Sequence, residues 1–232
     1  MNNTEREHIE TAERIPAREG YDRWAPNYDD ADPSTLLDEP FMRAQCEPLE
    51  GLRVLDLGCG TGRYLRQLHG TGARITAFDL SQAMLLKARG GVPDAASTMW
   101  VQGNAEYLPF RPGSFDRIVS GLVLDHVTRL DRFFTGVADA LAPGGRAVIA
   151  AIHPDMQRLT GPAVRFATGD QQCRIEGIIH EVADVLKAAT HAGLSIATCE
   201  EPRVTEALVD RHPHWQSRLG SPALLLLVCE KH

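Results

Sequence analysis

The sequence has few cysteines and no pair of them at the spacing of a metal or redox motif. Its five cysteines lie far apart along the 232 residues, and none belongs to a C-x-x-C pair. A disulfide framework is therefore not expected, and the thiols are predicted to be free, as in a reducing cytoplasm. His212 and His214 flank a proline without a third candidate ligand, so no metal site is expected either.

Long apolar runs are also absent. The longest uninterrupted one covers residues 223–229, far below the roughly 20 residues that a membrane-spanning helix needs. Residues 1–19 are polar and highly charged, and they lack the apolar core of a signal peptide. We therefore expect a cytoplasmic protein without a membrane span.

Positive charge is scarce relative to negative charge. The chain has 24 Lys and Arg against 31 Asp and Glu, for a formal net charge of −7, and its basic residues form no stripe. A nucleic-acid partner is therefore not expected. At 43% hydrophobic residues, the chain has enough apolar content for a core, and its length fits one α/β domain with a small addition.

Short apolar segments alternate with helical patterns after residue 50. We expect seven strands, at 53–57, 74–78, 98–102, 115–120, 146–152, 194–200 and 223–229. Strands that alternate with helices are typical of right-handed β-α-β units, so the sequence predicts an α/β fold with a mostly parallel seven-stranded sheet and helices on both faces. Residues 1–50 are expected to form short helices and turns. The apolar residues of 153–180 show neither helical nor strand spacing.

A glycine-rich turn follows the first predicted strand. Gly58, Gly60 and Gly62 come directly after Leu57, and a helical pattern begins after them. Glycines permit a tight turn and let a ligand approach the backbone where a Cβ would collide. The spacing is G-x-G-x-G, followed by Arg63, so the G-x-G-x-x-G pattern that indicates nicotinamide or flavin cofactors is not met.

Asp79 closes the second predicted strand, 23 residues after Asp56. An acidic side chain at this position can accept hydrogen bonds from both ribose hydroxyls of a nucleoside. In an open α/β sheet, ligands bind at the carboxyl ends of the strands, near the point where the strand order reverses. A cofactor that contains a nucleoside is therefore predicted beside the glycine turn.

Taken together, these segments resemble the class I S-adenosylmethionine-dependent methyltransferases, and within them the group that modifies small molecules, including quinone-biosynthesis enzymes. The motifs that carry the resemblance are DLGCGTG at 56–62, FDLS at 78–81, GNAE at 103–106, LPF at 108–110, FD at 115–116, LAPGG at 141–145 and YDRWAPNYD at 21–29. The resemblance covers roughly residues 20–155. It implies a Rossmann-like fold, S-adenosylmethionine as the cofactor, and methyl transfer to a small-molecule acceptor.

The resemblance also implies roles for individual residues. Gly58 and Gly60 would lie under the methionine part of the cofactor, and Asp79 would hold the ribose. The other expected contacts are Leu80 against the adenine, Asn104 and Ala105 at its edge, Ser120 and Gly121 through backbone groups, and Tyr21, Trp24 and Tyr28 as a lid over the sulfonium. Aromatic rings attract a cation to their faces, so a lid of such rings would stabilise the positive sulfonium. The alternative is that these rings only pack the N-terminal segment against the domain.

The resemblance places substrate specificity in two segments. One is the N-terminal helical segment, 1–50, which would act as a lid. The other is an insertion at about 153–180 within the cofactor-binding domain, 51–232, which would cover the substrate. The residue expected at the adenine edge differs from the usual one. Many members of the family carry Asp at the position of Asn104. The side-chain carbonyl of Asn104 can still accept a hydrogen bond from the adenine amino group.

Two histidines are candidates for contact with the acceptor. His126 follows the fourth predicted strand and His153 the fifth, so both are expected at the carboxyl edge of the sheet. A neutral histidine can take a proton near pH 7 if the nucleophile is a hydroxyl. We favour His153, because the segment after it is the better candidate for a substrate cover. The alternative for each is a structural role at a helix start or turn.

Two other functions stay open from the sequence. Methylation of a tRNA or a protein is disfavoured by the acidic charge balance and by the lack of a basic domain. A non-catalytic S-adenosylmethionine-binding module would use the same glycines and Asp79. A monomer or a homodimer is expected.

Overall fold

Ten strands and eight α-helices occur in the residues that the computed structural model describes, 12–30, 35–93 and 95–232. The strands are β1 Glu13–Ile15, β2 Arg53–Leu57, β3 Arg74–Asp79, β4 Met99–Gln102, β5 Phe115–Gly121, β6 Leu141–Ile152, β7 Val164–Thr168, β8 Gln171–Ile175, β9 Ser195–Glu200 and β10 Leu224–Glu230. The helices are α1 Ala17–Trp24, α2 Thr35–Cys46, α3 Arg63–Leu68, α4 Gln82–Gly91, α5 Leu130–Ala140, α6 Pro154–Thr160, α7 Val182–His191 and α8 Glu206–Arg211. None of the helices in these ranges has the length and apolar character that crossing a bilayer requires.

The larger sheet has the strand order β4-β3-β2-β5-β6-β10-β9. β10 runs antiparallel to β6 and β9, and the other neighbouring strands run parallel. The predicted α/β fold with a mostly parallel seven-stranded sheet is therefore confirmed. The strand order reverses at β2, which lies between β3 and β5, so a crevice opens at the carboxyl ends of these three strands.

Successive residues of the central strands face opposite sides of the sheet. Leu55 of β2 and Ile118 of β5 are fully buried on one side, together with Phe133 of α5. Val54 and Val119 are buried on the other side, against residues of α2, α3 and α8. Helices thus cover both faces, as predicted.

A second, smaller sheet joins two segments that are far apart in the sequence. β1 pairs in parallel with β8, and β8 pairs antiparallel with β7. Ile15, Phe166, Cys173 and Ile175 form its buried apolar side. These strands correct the expectation of only short helices and turns near the N-terminus and of an irregular segment at 153–180. These strands are short and about half of their residues are polar, so their sequences show no clear alternation of apolar and polar residues.

Candidate active site

A cleft of about 690 Å³ opens at the carboxyl ends of β2, β3 and β5. It is lined by ten residues that were predicted as site residues: Tyr21, Tyr28, Gly58, Gly60, Asp79, Leu80, Asn104, Ala105, Gly121 and His126. The sheet order brings them together, because the turn after β2 and the ends of β3, β4 and β5 meet at one edge. Trp24, Ser120 and His153 lie outside the cleft.

The glycine turn after β2 forms one wall of the cleft. Gly58 and Gly60 have positive φ, 78° and 52°. A Cβ on Gly58 would lie 2.2 Å from Val123 Cγ2, so no side chain fits there. A Cβ on Gly60 would meet no atom of the described residues within 4 Å, and Gly60 lines the cleft. Its missing side chain therefore leaves room for a ligand against the backbone.

The carboxylate of Asp79 is held in a fixed orientation at the end of β3. Its Oδ2 accepts a hydrogen bond from the backbone N–H of Gly60 and its Oδ1 from that of Ser81, both at 2.8 Å. Burial raises the pKa of Asp79, and these backbone N–H groups oppose the shift. Each oxygen retains a lone pair, so the carboxylate can accept further hydrogen bonds from a ligand.

Asn104 and Ser120 both have their side-chain oxygens engaged within the protein. Asn104 Oδ1 accepts a hydrogen bond from the backbone N–H of Glu106 at 2.9 Å, which fixes the side chain at the cleft. The Ser120 hydroxyl is buried and donates to the carbonyl of Leu57 at 2.9 Å. Ser120 therefore links β5 to β2 and does not line the cleft, contrary to expectation.

Two carboxylates attach the N-terminal segment to the cofactor side of the sheet. Asp22 of α1 accepts a hydrogen bond from the Ser81 hydroxyl at 2.6 Å. Asp29 accepts one from the Thr61 hydroxyl at 2.5 Å and forms an ion pair with Lys87 at 3.0 Å. Burial opposes the ionisation of Asp29, but the hydrogen bonds from Thr61 and Lys87 outweigh it and lower the pKa.

Aromatic rings from both cover segments pack together beside the cleft. Trp24 stacks on Phe166 with ring centroids 5.1 Å apart and meets Tyr28 edge-on at 4.7 Å. The Tyr21 ring lies 6.0 Å from Trp24 and 6.1 Å from Tyr28. The Tyr21 hydroxyl lies 2.7 Å from Nε2 of His126. Ring contacts therefore join α1 to β7, in addition to the pairing of β1 with β8.

Both tyrosine hydroxyls of the cleft stay protonated at neutral pH. Burial is the main cause that raises the pKa of Tyr21 well above its usual range, followed by the proximity of Tyr28 and Asp125. Burial also raises the pKa of Tyr28 to about 12, although Arg63 opposes the shift. Each hydroxyl can therefore donate one hydrogen bond and accept others.

A second cavity of about 1240 Å³ adjoins the cleft. Tyr21, Tyr28 and Leu122 line both spaces, which meet at these side chains. The other walls come from α6, the start of β7, the 3-10 segment Pro213–Arg218 and the start of β10. Trp24 lines this second cavity and not the cleft, so its position differs from the expected cofactor contact.

Leu122 lies at the junction in an unusual backbone conformation. It has φ of 59° and is the single non-glycine residue with positive φ among those described. This conformation costs an L-residue about 1–2 kcal/mol, and such strained positions cluster at functional sites. Its N–H donates to the carbonyl of Ala150 at 2.8 Å, which holds the turn after β5 against β6.

His153 lies away from both cavities, which corrects the preference for it as the acceptor contact. Its ring is buried, and Nδ1 accepts a hydrogen bond from the backbone N–H of Asp155 at 3.1 Å. Nε2 lies 3.2 Å from a carboxylate oxygen of Glu201. β6 turns directly into α6, so the side chain caps the helix and does not point into the crevice.

Asp125 was not predicted from the sequence, although it precedes His126 directly. It lines the second cavity, and its Oδ2 lies 3.6 Å from His126 Nε2. Its Oδ1 is buried without a hydrogen-bond partner among the described residues. In the sequence, the position of Asp125 after the fourth predicted strand could have indicated a residue of the site.

Asp56 is a fully buried carboxyl group just before the glycine turn. Neither of its oxygens has a hydrogen-bond partner in the described part of the chain. Burial raises its pKa to about 7, Arg63 opposes this shift and Asp79 adds to it. Burial therefore favours the protonated form of this carboxyl group.

Comparison with known proteins now adds to this geometry. The family described as "Methyltransferase domain" matches residues 55–149. An uncharacterized methyltransferase of Emericella nidulans is 30% identical over 253 aligned positions, which cover 90% of this chain and 87% of that protein. The crystal structure of an S-adenosylmethionine-dependent methyltransferase from Mesorhizobium loti matches with a TM-score of 0.70 at 27% identity, over 84% of this chain and 97% of that chain.

The chain belongs to the class I S-adenosylmethionine-dependent methyltransferases. The predicted family, Rossmann-like fold and cofactor, S-adenosylmethionine, are thereby confirmed. A demethylmenaquinone methyltransferase of Tropheryma whipplei is 36% identical over 137 residues, 57% of this chain and 56% of that protein. The chain thus spans about half the length of this methyltransferase relative.

The cleft of this methyltransferase also contains residues that were not predicted as contacts. They are Ala17, Phe78, Met84, Gly103, Leu122, Val123 and Val127. Gly103 had a signal, since it opens one of the recognised motifs, and a Cβ there would lie 2.6 Å from Phe78 Cζ. Phe78 likewise opens a recognised motif, FDLS at 78–81. The remaining five are apolar side chains whose direction depends on packing between elements, which the sequence does not specify.

Proposed function

We propose that this methyltransferase transfers the methyl group of S-adenosylmethionine to a small molecule held in the second cavity. The observation that carries the proposal is the junction of the two cavities at Tyr21, Tyr28 and Leu122. Methyl transfer needs a donor and an acceptor that are aligned end to end and shielded from water. Two adjoining cavities provide one space for each.

The residues of the cleft suit the cofactor. No atom of the described residues lies within 4 Å of the point that a Cβ of Gly60 would occupy, and the methionine part of S-adenosylmethionine would lie there. Asp79, which two backbone N–H groups orient, would accept hydrogen bonds from the ribose hydroxyls. Leu80, Asn104 and Ala105 line the same cleft and would contact the adenine.

Tyr21 and Tyr28 would form the wall between donor and acceptor. When bound, the cofactor supplies an electrophilic methyl group on a positively charged sulfur. Ring faces attract such a charge, and the protonated hydroxyls can hydrogen-bond an acceptor. The packed rings of Trp24 and Phe166 lie behind them and would help to exclude water from the junction.

His126 would receive a proton when the acceptor is a hydroxyl. The Tyr21 hydroxyl would accept the proton of the acceptor and pass its own proton to Nε2 of His126, 2.7 Å away. Asp125 Oδ2 lies 3.6 Å from that nitrogen, so a carboxylate oxygen stands beside the ring that would receive the proton. A neutral amine acceptor would need no such route.

A small-molecule acceptor agrees with two further observations. The relative from Tropheryma whipplei is named for methylation of demethylmenaquinone, and the net charge of −7 opposes binding to nucleic acid. The N-terminal segment and the 153–180 insertion, which share one sheet, would together act as the lid and substrate cover. The cytoplasmic location and the monomeric or homodimeric state stay predictions.

Label transfer tests the proposal. The purified protein is incubated with S-adenosylmethionine labelled at the methyl group and with fractionated cell extract, and the labelled product is identified by mass spectrometry. We expect label in the small-molecule fraction. Label only in tRNA or protein would contradict the proposal in favour of a macromolecular acceptor. Cofactor binding by calorimetry with no label in any fraction would favour a non-catalytic module.

A further inference from the structure

The second cavity carries positive charge in a protein with negative net charge. Its charged lining residues are Arg165, Arg218 and Asp125, in a chain with a formal net charge of −7. Among the described residues, two arginines and one aspartate thus line this space. A local excess of positive charge in a cavity attracts anions even where the protein as a whole repels them.

Arg165 of β7 lies against the wall of the cavity. Its guanidinium nitrogens lie 3.7 and 3.8 Å from the point that a Cβ of Gly161 would occupy, and Gly161 lines the cavity. Nη1 donates to the backbone carbonyl of Ala163 at 3.3 Å. Arg165 forms no ion pair with a carboxylate of the described residues. None of its guanidinium N–H groups therefore has an anionic acceptor among these residues.

Arg218 lies over the ring of Trp215. Its Cζ is 5.2 Å from the centroid of the indole, and Trp215, which also lines the cavity, is only 3% exposed. Within the part of the chain that the structure describes, Arg218 has no carboxylate partner and Trp215 Nε1 has no acceptor. The ring contact positions the cation without using its N–H groups.

The rest of the cavity wall is mainly apolar. Ile152, Met156, Val164 and Leu224 contribute aliphatic or thioether surface. Apolar walls favour a ligand with an apolar body, because burying its surface removes it from water. Guanidinium groups pair with carboxylate and phosphate through two parallel hydrogen bonds, so they would select the charged end of such a ligand.

We propose that the methyl acceptor is a small amphiphilic anion, with an apolar body and a carboxylate or phosphate group that Arg165 and Arg218 bind. This inference rests on the proposed function, since it names the acceptor class of the same site. Held by its anionic group, the acceptor has its opposite end directed away from the arginines. An anion is a different class from an uncharged quinol, which would leave both guanidinium groups without a partner.

Three probes of similar shape test the charge preference: 2-naphthoate, 2-naphthyl phosphate and uncharged 2-naphthamide. Each is titrated by calorimetry into the full chain saturated with S-adenosylhomocysteine. We expect at least one anion to bind about tenfold or more tightly than the amide. The ratio between the two anions distinguishes a carboxylate from a phosphate acceptor. In the wild-type protein the preference should fall at high salt, because the arginines are partly exposed.

Matched variants test whether Arg165 and Arg218 cause the preference for anionic probes. Arg165→Met combined with Arg218→Met removes both charges and should abolish the preference, whereas Lys at both positions should retain part of it. Arg89→Met is the control, because Arg89 lies in the last turn of α4, outside both cavities, and its loss should leave the preference unchanged. Thermal melting with S-adenosylhomocysteine confirms that each variant is folded.

Three results would overturn the inference: equal binding of anion and amide, absence of binding by all three probes, or an anion preference that survives in the double Met variant. These three results do not bear on the proposed function. The cofactor titration and the label-transfer screen test that function separately. Binding of S-adenosylhomocysteine with label transfer to an uncharged molecule would refute the anionic acceptor alone. Failure to bind S-adenosylhomocysteine would refute the proposed function instead.

Discussion

The side chains of Tyr21 and His126 meet across 105 residues of sequence, with the tyrosine hydroxyl 2.7 Å from Nε2 of the histidine. Tyr21 lines both cavities, and His126 lines only the cleft. The hydroxyl is thus the group through which a proton from the second cavity would reach the imidazole.

The first prediction concerns this pair. His126→Ala and Tyr21→Phe should each lower turnover of a hydroxyl acceptor by about 10²-fold. Both side chains line the cleft, but the loss of turnover should exceed any loss of S-adenosylhomocysteine affinity, because proton transfer occurs only during the reaction. Turnover is measured by label transfer across a pH series, and affinity by calorimetry. Part of the lost rate should return at high pH, where the acceptor ionises unaided.

His153→Ala serves as the matched control. Its ring caps α6 and faces neither cavity, so it should lose about 1 kcal/mol of unfolding free energy and keep wild-type turnover. The opposite outcome, full activity in His126→Ala and lost activity in His153→Ala, would reverse the assignment of these two histidines.

The second prediction concerns Asp79. Asp79→Asn should weaken S-adenosylhomocysteine binding by about 1.5–3 kcal/mol, because the amide replaces a charged acceptor. The raised pKa of Asp79 implies that wild-type binding weakens as pH falls, starting above the ordinary carboxyl range near 4. The variant should not show this dependence. Calorimetry over a pH series checks both points.

Asp131→Asn is the control for Asp79. Asp131 is exposed, pairs with Arg129 and lies outside the cleft, so affinity should be unaltered. Wild-type affinity in Asp79→Asn at every pH would show that this carboxylate does not hold the ribose.

The third prediction uses two glycines with similar backbone conformations. Gly60 and Gly51 both have positive φ, 52° and 76°, and in the part of the chain that the structure describes a Cβ on either would meet no atom within 4 Å. Each Ala variant should therefore lose about 1 kcal/mol of unfolding free energy through backbone strain. Only Gly60 lines the cleft, so only Gly60→Ala should also lose cofactor affinity in calorimetry.

Equal affinity in the two glycine variants would argue against a ligand beside Gly60. Urea unfolding of both proteins shows whether the strain is matched. The bulkier Gly60→Val should abolish binding outright while the protein remains folded, because a branched side chain would occupy the ligand space.

The fourth prediction concerns the buried carboxyl of Asp56. Its pKa is raised from 3.8 to about 7 in the folded protein, so the folded state holds a proton that the unfolded state has released. Its contribution to stability is complete below pH 4 and is lost as pH rises to about 7. Asp56→Asn should thus raise the unfolding free energy at pH 8 by about 4 kcal/mol and change little at pH 3.

Asp116→Asn provides a control of opposite sign. Arg53 lowers the pKa of Asp116 to about 2, so its stabilisation is present above pH 4 and disappears as pH falls towards 2. This variant should be destabilised at neutral pH and equal to wild type at low pH. Urea unfolding of the ligand-free proteins measures both, and loss of stability in Asp56→Asn at pH 8 would contradict the buried-charge account.

The cofactor half of the site could be predicted from the sequence because its signals are local. The strand ending at Leu57, the positive φ of Gly58 and Gly60, and the acid at Asp79 all lie within short motifs. The sheet then brings them together through a strand order that β-α-β connections restrict.

The acceptor half could not be predicted because it depends on contacts between distant segments. Tyr21, Arg165 and Trp215 reach one cavity from separate parts of the chain, and nothing in their local sequences specifies that meeting. The position of His153 after a strand was predicted correctly, but the direction of its ring depends on α6 beginning at the next residue.

The pairing of β1 with β8 also affects the order in which the chain can fold. Ile15 finds its partner only at Ile175, so a long loop must close before this sheet can form. During synthesis, the strands β2 to β5 are complete well before β8 leaves the ribosome. We therefore expect the small sheet to assemble after β2 to β5, and in hydrogen exchange to open before them.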